Sequence, residues 1–326
     1  MVLLFDFINR QFLTEPPIPT TSYKGRTVIV TGANVGLGKE AVRWCLKLGA
    51  SKVIIACRTT SKGSLAATEI QNDTGCSPDM LEVWKLNMSS YAAVREFAER
   101  AKGLERLDAV IANAGMSTLK FNTTEDNEET ITTNVISTAL LCFALHPKLV
   151  ETAKQYNINT HITITASELY EVASFKERKA PEGKIFETLR DKKKAKMRDR
   201  YNVSKLLQVF LVRQMAALSP VSASHVIVNC VAPGMCHTEL HRNIATGKWV
   251  DVLMKILART SEVGSRTLVY GGSAGPETHG KYLPDCKITE PAGLCRGLPG
   301  KELQERVWAE LRAKLEKIQP GVTSIA

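Results

Sequence analysis

Thr31-Gly32-Ala33-Asn34-Val35-Gly36-Leu37-Gly38-Lys39-Glu40 follows an apolar β-rich run directly and opens an apolar stretch of helical period. A chain that leaves a strand for a helix within so few residues must turn sharply, and glycine permits this because it carries no Cβ. The same glycines let the backbone approach a pyrophosphate closely, whose charge then rests on the helix N-terminus. Taken alone, the segment reads equally as a tight strand-to-helix turn with no ligand, so its meaning depends on the rest of the chain.

Working outward, apolar β-rich runs at 27–31, 52–57, 81–86, 107–112, 160–165 and 226–231, with a short one near 281–283, alternate with helical-period segments at 38–48, 61–73, 89–102, 125–154 and 200–218. That alternation is the pattern of βαβ units around a parallel sheet. The expected fold class is α/β, a Rossmann-type doubly wound parallel sheet in one domain with a C-terminal helical extension on the substrate side. Residues 1–23 read as a leading segment docked on the fold, 24–285 as the dinucleotide-binding and catalytic domain, and 286–326 as the extension. Within the domain, the polar stretch 168–199 reads as an insertion or lid. Leu303, Val307, Leu311, Leu315 and Ile318 form a helical stripe expected to pack on the domain.

The second strand ends Ala56-Cys57-Arg58. A protein selecting NAD usually places an acidic residue there for the ribose hydroxyls. Here Cys57 takes that place and Arg58 follows, so a guanidinium fork would welcome a 2′-phosphate. The expected cofactor is therefore NADP(H), seated on Gly32, Asn34, Val35, Gly36, Leu37, Gly38 and Arg58. A surface ion pair is the other reading of Arg58.

The T-G-x-x-x-G-x-G spacing, Ala112-Asn113-Ala114-Gly115 after the fourth strand, and Tyr201-Asn202-Val203-Ser204-Lys205 occur in that order, with Asn134 and Ser167 between them and Pro233-Gly234 and Thr238 beyond. In this the chain resembles the short-chain dehydrogenases/reductases, from about Lys24 to Tyr282. The resemblance implies catalytic roles for Asn134, Ser167, Tyr201 and Lys205, and cofactor contacts from Asn87, Asn113, Ala114, Gly115, Tyr201, Lys205, Pro233, Gly234 and Thr238. Tyr201 and Lys205 lie four apart on a helix and share a face, so an ammonium beside the phenol would favour phenolate and lower a pKa that is about 10 unperturbed. A tyrosine tuned in this way can exchange a proton with a carbonyl oxygen. Ser167, with Thr165 as rival, would stabilise charge on that oxygen. Asn134 would bend the long helix and hold a water that continues the relay from Lys205. Three features depart from the family pattern: Asn87 stands where an Asp usually meets the adenine, Ala112 replaces the first Asn of N-N-A-G, and the Ser167-to-Tyr201 spacing is enlarged, with Glu168 directly after the serine.

Leu169, Tyr170, Phe175, Met235, Leu240, Trp249, Val252, Leu253 and Ile256 follow the fifth and sixth strands and read as an apolar pocket lining. Together with a likeness to retinol-dehydrogenase-like members and fungal secondary-metabolite reductases, they imply a lipophilic, polyketide-like or terpenoid-like ketone or aldehyde, or the matching alcohol. The competing reading is a catalytically silent NADP(H)-binding scaffold or sensor. The net charge of +10 favours anionic ligands, but the basic stretch 190–200 lacks interleaved aromatics and reads as a solvated face, so no nucleic-acid partner is expected. Eight scattered cysteines without a C-x-x-C pair point to a reducing, cytoplasmic location. The apolar N-terminus, broken by Asp6, is too short to span a membrane. No metal is expected, since His237 and His241 have no third ligand nearby. The family implies a homodimer through the helices at 125–154 and 200–218, a face that the appended C-terminus could equally block.

Overall fold

The computed structural model describes residue 11 and residues 14–237 and 258–325. Seven strands, β1 (Thr27–Thr31), β2 (Lys52–Cys57), β3 (Leu81–Lys85), β4 (Ala109–Ala112), β5 (Thr160–Thr165), β6 (Val226–Ala232) and β7 (Tyr282–Pro284), form one sheet in the order β3-β2-β1-β4-β5-β6-β7. Every pairing in it is parallel. The strand order reverses between β1 and β4, which opens a crevice beyond their C-terminal ends. The expected doubly wound sheet is present.

Because helices cover both faces, the central strands are buried along their whole length, and this is why they read as unbroken apolar runs rather than alternating ones. Alternate residues of β1 feed opposite cores. Val28 and Val30 pack toward α1 (Gly36–Lys47), α2 (Thr60–Thr74) and α7 (Ser261–Gly271), whereas Ile29 packs toward α3 (Tyr91–Lys102), α4 (Glu129–Tyr156) and α6 (Met197–Leu218). α4 is long and apolar enough to cross a membrane, but 89% of its most apolar window is buried inside this fold. The run expected from 107 begins at Ala109, because the Asp108 carboxylate takes the Thr27 N–H at 2.8 Å and pairs with Arg106. α7 had no place among the helices expected from the sequence.

The segment 168–199 is packed against the body of the protein rather than hanging over the site. It contains a short helix, α5 (Ile185–Leu189), whose first N–H groups are capped by Glu310 of α8 (Gly297–Ile318), each at 3.0 Å. Arg306 of α8 donates to the carbonyls of Arg178 and Ala180. Phe175, Ile185, Phe186 and Leu189 are buried in the same core as Val307, Leu311 and Leu315, while Leu303 and Ile318 pack at its edge. Most of 190–200 is solvated or half-buried as expected, with one correction: Arg200 is 1% exposed, placed 3.5 Å from both Glu128 and Glu177.

Candidate active site

Gly32 and Gly36 adopt φ of +65° and +56°, which side-chain-bearing residues rarely enter. A Cβ on Gly38 would lie 2.6 Å from the Gly32 oxygen and 2.7 Å from the Asn113 amide, so the turn closes only without one. Val35 caps α1 without a side-chain hydrogen bond, and the first turn holds no acidic residue. The N–H groups at the head of α1 are left for an anion. Asn113 Nδ2 donates to the Thr31 carbonyl at 3.0 Å and the Ala114 N–H donates to Thr31 Oγ1 at 2.8 Å, so the segment after β4 fastens the turn after β1.

This turn floors a cleft of about 360 Å³ that runs from Arg58 and Lys62 at one end, past Gly32, Asn34, Val35, Gly36 and Leu37, to Tyr201 and Lys205 at the other. Asn87, Asn113, Ala114 and Gly115 line it as well. An extended dinucleotide fits such a trough, with its pyrophosphate over the glycine turn. Arg58 is exposed, and no carboxylate among the described residues pairs with it. Lys62 is a second cation one helical turn further on, overlooked in the sequence although the i, i+4 spacing was readable. Asn87 Oδ1, expected to accept from adenine, already accepts the Ser89 N–H at 3.2 Å. Pro233 and Gly234 follow β6 away from the cleft lining, and Arg259 Nη1 donates to the Pro233 oxygen at 3.2 Å. Thr238, His241, Leu240, Trp249, Val252, Leu253, Ile256 and the leading residues 1–10 lie outside the described residues.

At the other end, Tyr201 lines the cleft with Ser167 as hydrogen-bond partner of its phenol. Ser167 Oγ also accepts the Leu169 N–H at 3.3 Å. The rival Thr165 is engaged differently, through its carbonyl, which accepts from Lys205 Nζ at 2.7 Å. The expectation that Lys205 lowers the Tyr201 pKa is corrected here. Burial raises the phenol well above its ordinary value, outweighing the bond from Ser167. The ammonium sits 5.5 Å from the ring centre and spends its hydrogen bonds on Thr165 and on Gln208 Oε1 at 2.9 Å. Burial pushes Lys205 down to about 7, the nearby Cys230 opposing this. A phenol held protonated in this way is suited to donate a proton.

Asn134 is fully buried within a π turn, Thr132–Ile136, that interrupts α4 where a bend was expected. Its side chain clamps Met116, accepting from the N–H and donating to the carbonyl, each at 2.9 Å, and reaches Ser204 Oγ at 3.0 Å. The expected relay water is displaced, since the Asn134 carbonyl accepts directly from Gln208 Nε2 at 2.7 Å. Neither Gln208 nor Met116 stood out in the sequence, because both occupy ordinary apolar-helix and loop contexts.

The short chain dehydrogenase family model matches residues 26–169. Short chain dehydrogenase/reductase dmxR8 of Cryptosporiopsis sp. (strain 8999) is 46% identical over 322 residues, covering 98% of this chain and 99% of the relative. The chain belongs to the short-chain dehydrogenase/reductase family. Short-chain dehydrogenase anuD of Penicillium roqueforti is 39% identical over 325 residues, covering 97% of this chain and 84% of the relative. Among solved structures, the Pseudomonas aeruginosa RhlG/NADP complex has the same fold, with a TM-score of 0.61 at 22% identity over 81% of this chain and 95% of that one. The short-chain dehydrogenase from Sphingobium yanoikuyae in complex with NADPH gives 0.56 at 19%, over 74% and 81%.

As a short-chain dehydrogenase/reductase the protein is an oxidoreductase. On its substrate side two expected pocket residues face inward: Tyr170 is buried, its hydroxyl accepting the Ala292 N–H at 3.1 Å and its ring edge-on to Tyr282, and Phe175 is buried in the core. Leu169, beside Ser167, is the exposed apolar residue of that stretch, and Met235 is half-buried with its N–H held by Gln11. Among the described residues no group of His, Cys, Asp and Glu side chains is arranged to hold a metal.

Proposed function

We propose that this short-chain dehydrogenase/reductase uses NADP(H) to reduce a ketone or aldehyde of a lipophilic, polyketide-like or terpenoid-like molecule, or to oxidise the matching alcohol, in secondary metabolism. The observation that carries the reading is a single cleft with a buried, protonated Tyr201 and its Ser167 partner at one end and the cations Arg58 and Lys62 at the other. The dinucleotide would rest on the α1 N-terminus, Gly32, Asn34 and Gly36, with a 2′-phosphate toward Arg58 and Lys62. When bound, it supplies or accepts the hydride.

The chain's own residues supply the proton and the alignment. Ser167 and Tyr201 hold the substrate oxygen between two hydroxyl donors, which stabilises the negative charge that develops there. Tyr201 then donates its proton to that oxygen, and Lys205 close by stabilises the phenolate left behind. Exposed Leu169 next to Ser167 supports an apolar substrate. Support for NADP(H) comes also from two relatives in fold solved with NADP and NADPH.

The assay that tests the reading follows loss of NADPH absorbance against a panel of aromatic and aliphatic ketones and aldehydes. Turnover of lipophilic carbonyls with NADPH is expected. NADPH binding without turnover of any of them would instead favour the silent scaffold or sensor. Eight free cysteines, most of them buried, support a reducing cytoplasmic location. For assembly we favour a monomer over the homodimer, because α8 covers part of the expected pairing face: Trp308 stacks on Phe143 of α4 at 5.5 Å, and Gln304 donates to Gln214 of α6.

A further inference from the structure

Gln208 lies one turn beyond Lys205 on α6 and is 1% exposed. Its two polar atoms are both committed, Oε1 accepting from Lys205 Nζ at 2.9 Å and Nε2 donating to the Asn134 carbonyl at 2.7 Å. The partners fix which way the amide points, since an ammonium can only donate and a carbonyl can only accept. Direct bonds of that length leave no room for a water between Lys205 and the π turn. An amide carries no proton that titrates near neutrality, so it ties the two groups together without passing a proton between them.

We propose that Gln208 is a positioning residue for this oxidoreductase site, anchoring the Lys205 ammonium to the π-turn carbonyl of Asn134 and thereby fixing both its place and its acidity. The inference rests on the reading of Tyr201 and Lys205 as acid and partner. Among the described residues, the titratable groups facing the ammonium are Tyr201 on its own helix and Cys230 on β6, whose thiol burial keeps neutral. From α4 comes the uncharged Asn134, and from β5 the Thr165 carbonyl. Gln208 Oε1 and Thr165 O are thus the two acceptors holding a buried cation, and changing one of them must change the balance between ammonium and amine.

The test uses full-length protein carrying [ε-13C]lysine, with the Lys205 signal identified as the one missing from Lys205→Arg, titrated by NMR without cofactor or substrate. Gln208→Glu places an anionic acceptor beside the ammonium, and the Lys205 midpoint is expected to rise by about one pH unit, a tenfold shift in its protonation equilibrium. Gln208→Met keeps the length and removes the acceptor, and the midpoint is expected to fall. Gln208→Asn, too short to span both partners, is expected to move it in the same direction as Met and serves where another variant melts early. Midpoints that stay at the wild-type value in the folded variants overturn the proposal, whatever happens to stability. Because this readout needs no turnover, a wild-type enzyme that reduces none of the carbonyls tried would sink the functional reading and leave the Gln208 result standing.

Discussion

The side-chain amide of Asn113 donates to the carbonyl oxygen of Thr31 at 3.0 Å, joining the segment after β4 to the last residue of β1. The bond crosses the point where strand order reverses, so one residue governs the shape of the glycine turn from outside it. Asn113→Ala deletes a hydrogen bond worth about 1 kcal/mol and the strut with it. NADPH affinity, read by quenching of intrinsic fluorescence, is expected to fall about tenfold. Unchanged affinity would show that the turn holds its shape unaided.

Tyr201→Phe removes the proton donor and keeps the ring. Turnover is expected to drop by about 10²- to 10⁴-fold, the usual worth of a positioned general acid. NADPH affinity should stay within about twofold, because the turn, Arg58 and Lys62 are untouched. Undiminished turnover in this variant would remove Tyr201 from the chemistry and point to Thr165 or Ser167.

The sequence carried the sheet well because burial on both faces writes a plain signal: β1, β2 and β5 are runs such as Lys52–Cys57 that few other structures accommodate. It carried α7 badly. Gly264 and Gly271 lower helix propensity, and they are there because a Cβ would lie 2.3 Å from Cys236 Sγ and 2.6 Å from Thr163 Cγ2, contacts made by residues distant in the chain. Tyr170 and Phe175 misled for a related reason, since aromatic residues just after a candidate catalytic serine look like pocket walls, yet which way a side chain points is set by tertiary packing. The polarity of Tyr201 was likewise out of reach. The i, i+4 spacing placed an ammonium near the phenol, but the desolvation that outweighs it depends on everything packed around both.

Arg58 and Lys62 both face the cleft where a 2′-phosphate would lie. Arg58→Asp combined with Lys62→Ala replaces two cations by an acceptor for ribose hydroxyls. The ratio of kcat/KM for NADPH over NADH is expected to fall by about 100-fold, equivalent to about 2.8 kcal/mol. A ratio that does not move would locate cofactor choice elsewhere in the cleft.

Arg200 is buried between Glu128 and Glu177, at 3.5 Å from each, and so joins the start of α4, the 168–199 segment and α6. Glu128 is further engaged by the N–H groups of Thr130 and Ile131. Arg200→Met leaves two carboxylates desolvated without their cation, and unfolding in urea is expected to become easier by about 3–5 kcal/mol. The triple variant Arg200→Met, Glu128→Gln, Glu177→Gln should recover much of that loss, because no charge then remains buried. If the single and triple variants lose the same amount, packing rather than charge holds the segment.

His146 and His161 are both held down to about 4, chiefly by burial, with His279 adding to the effect at His146. Each therefore stays neutral in the folded protein at a pH where the unfolded chain, titrating near 6.5, has taken up a proton. Because the unfolded state binds more protons in that window, stability rises with pH across it: the contribution is complete above about pH 6.5 and is lost progressively as pH falls toward 4. Each histidine adds at most about 1.4 kcal/mol per pH unit to that slope. His146→Gln keeps a polar group within reach of Ser219, which His146 Nε2 meets at 2.8 Å, but it cannot titrate. Urea unfolding of wild type and variant at a series of pH values isolates the histidine from carboxylates such as Glu128, whose raised pKa acts in the opposite sense. The stability difference between the two proteins is expected to change steadily between pH 6.5 and 4 in the variant's favour, and a difference that stays constant over that range would mean that His146 is protonated without cost in the fold.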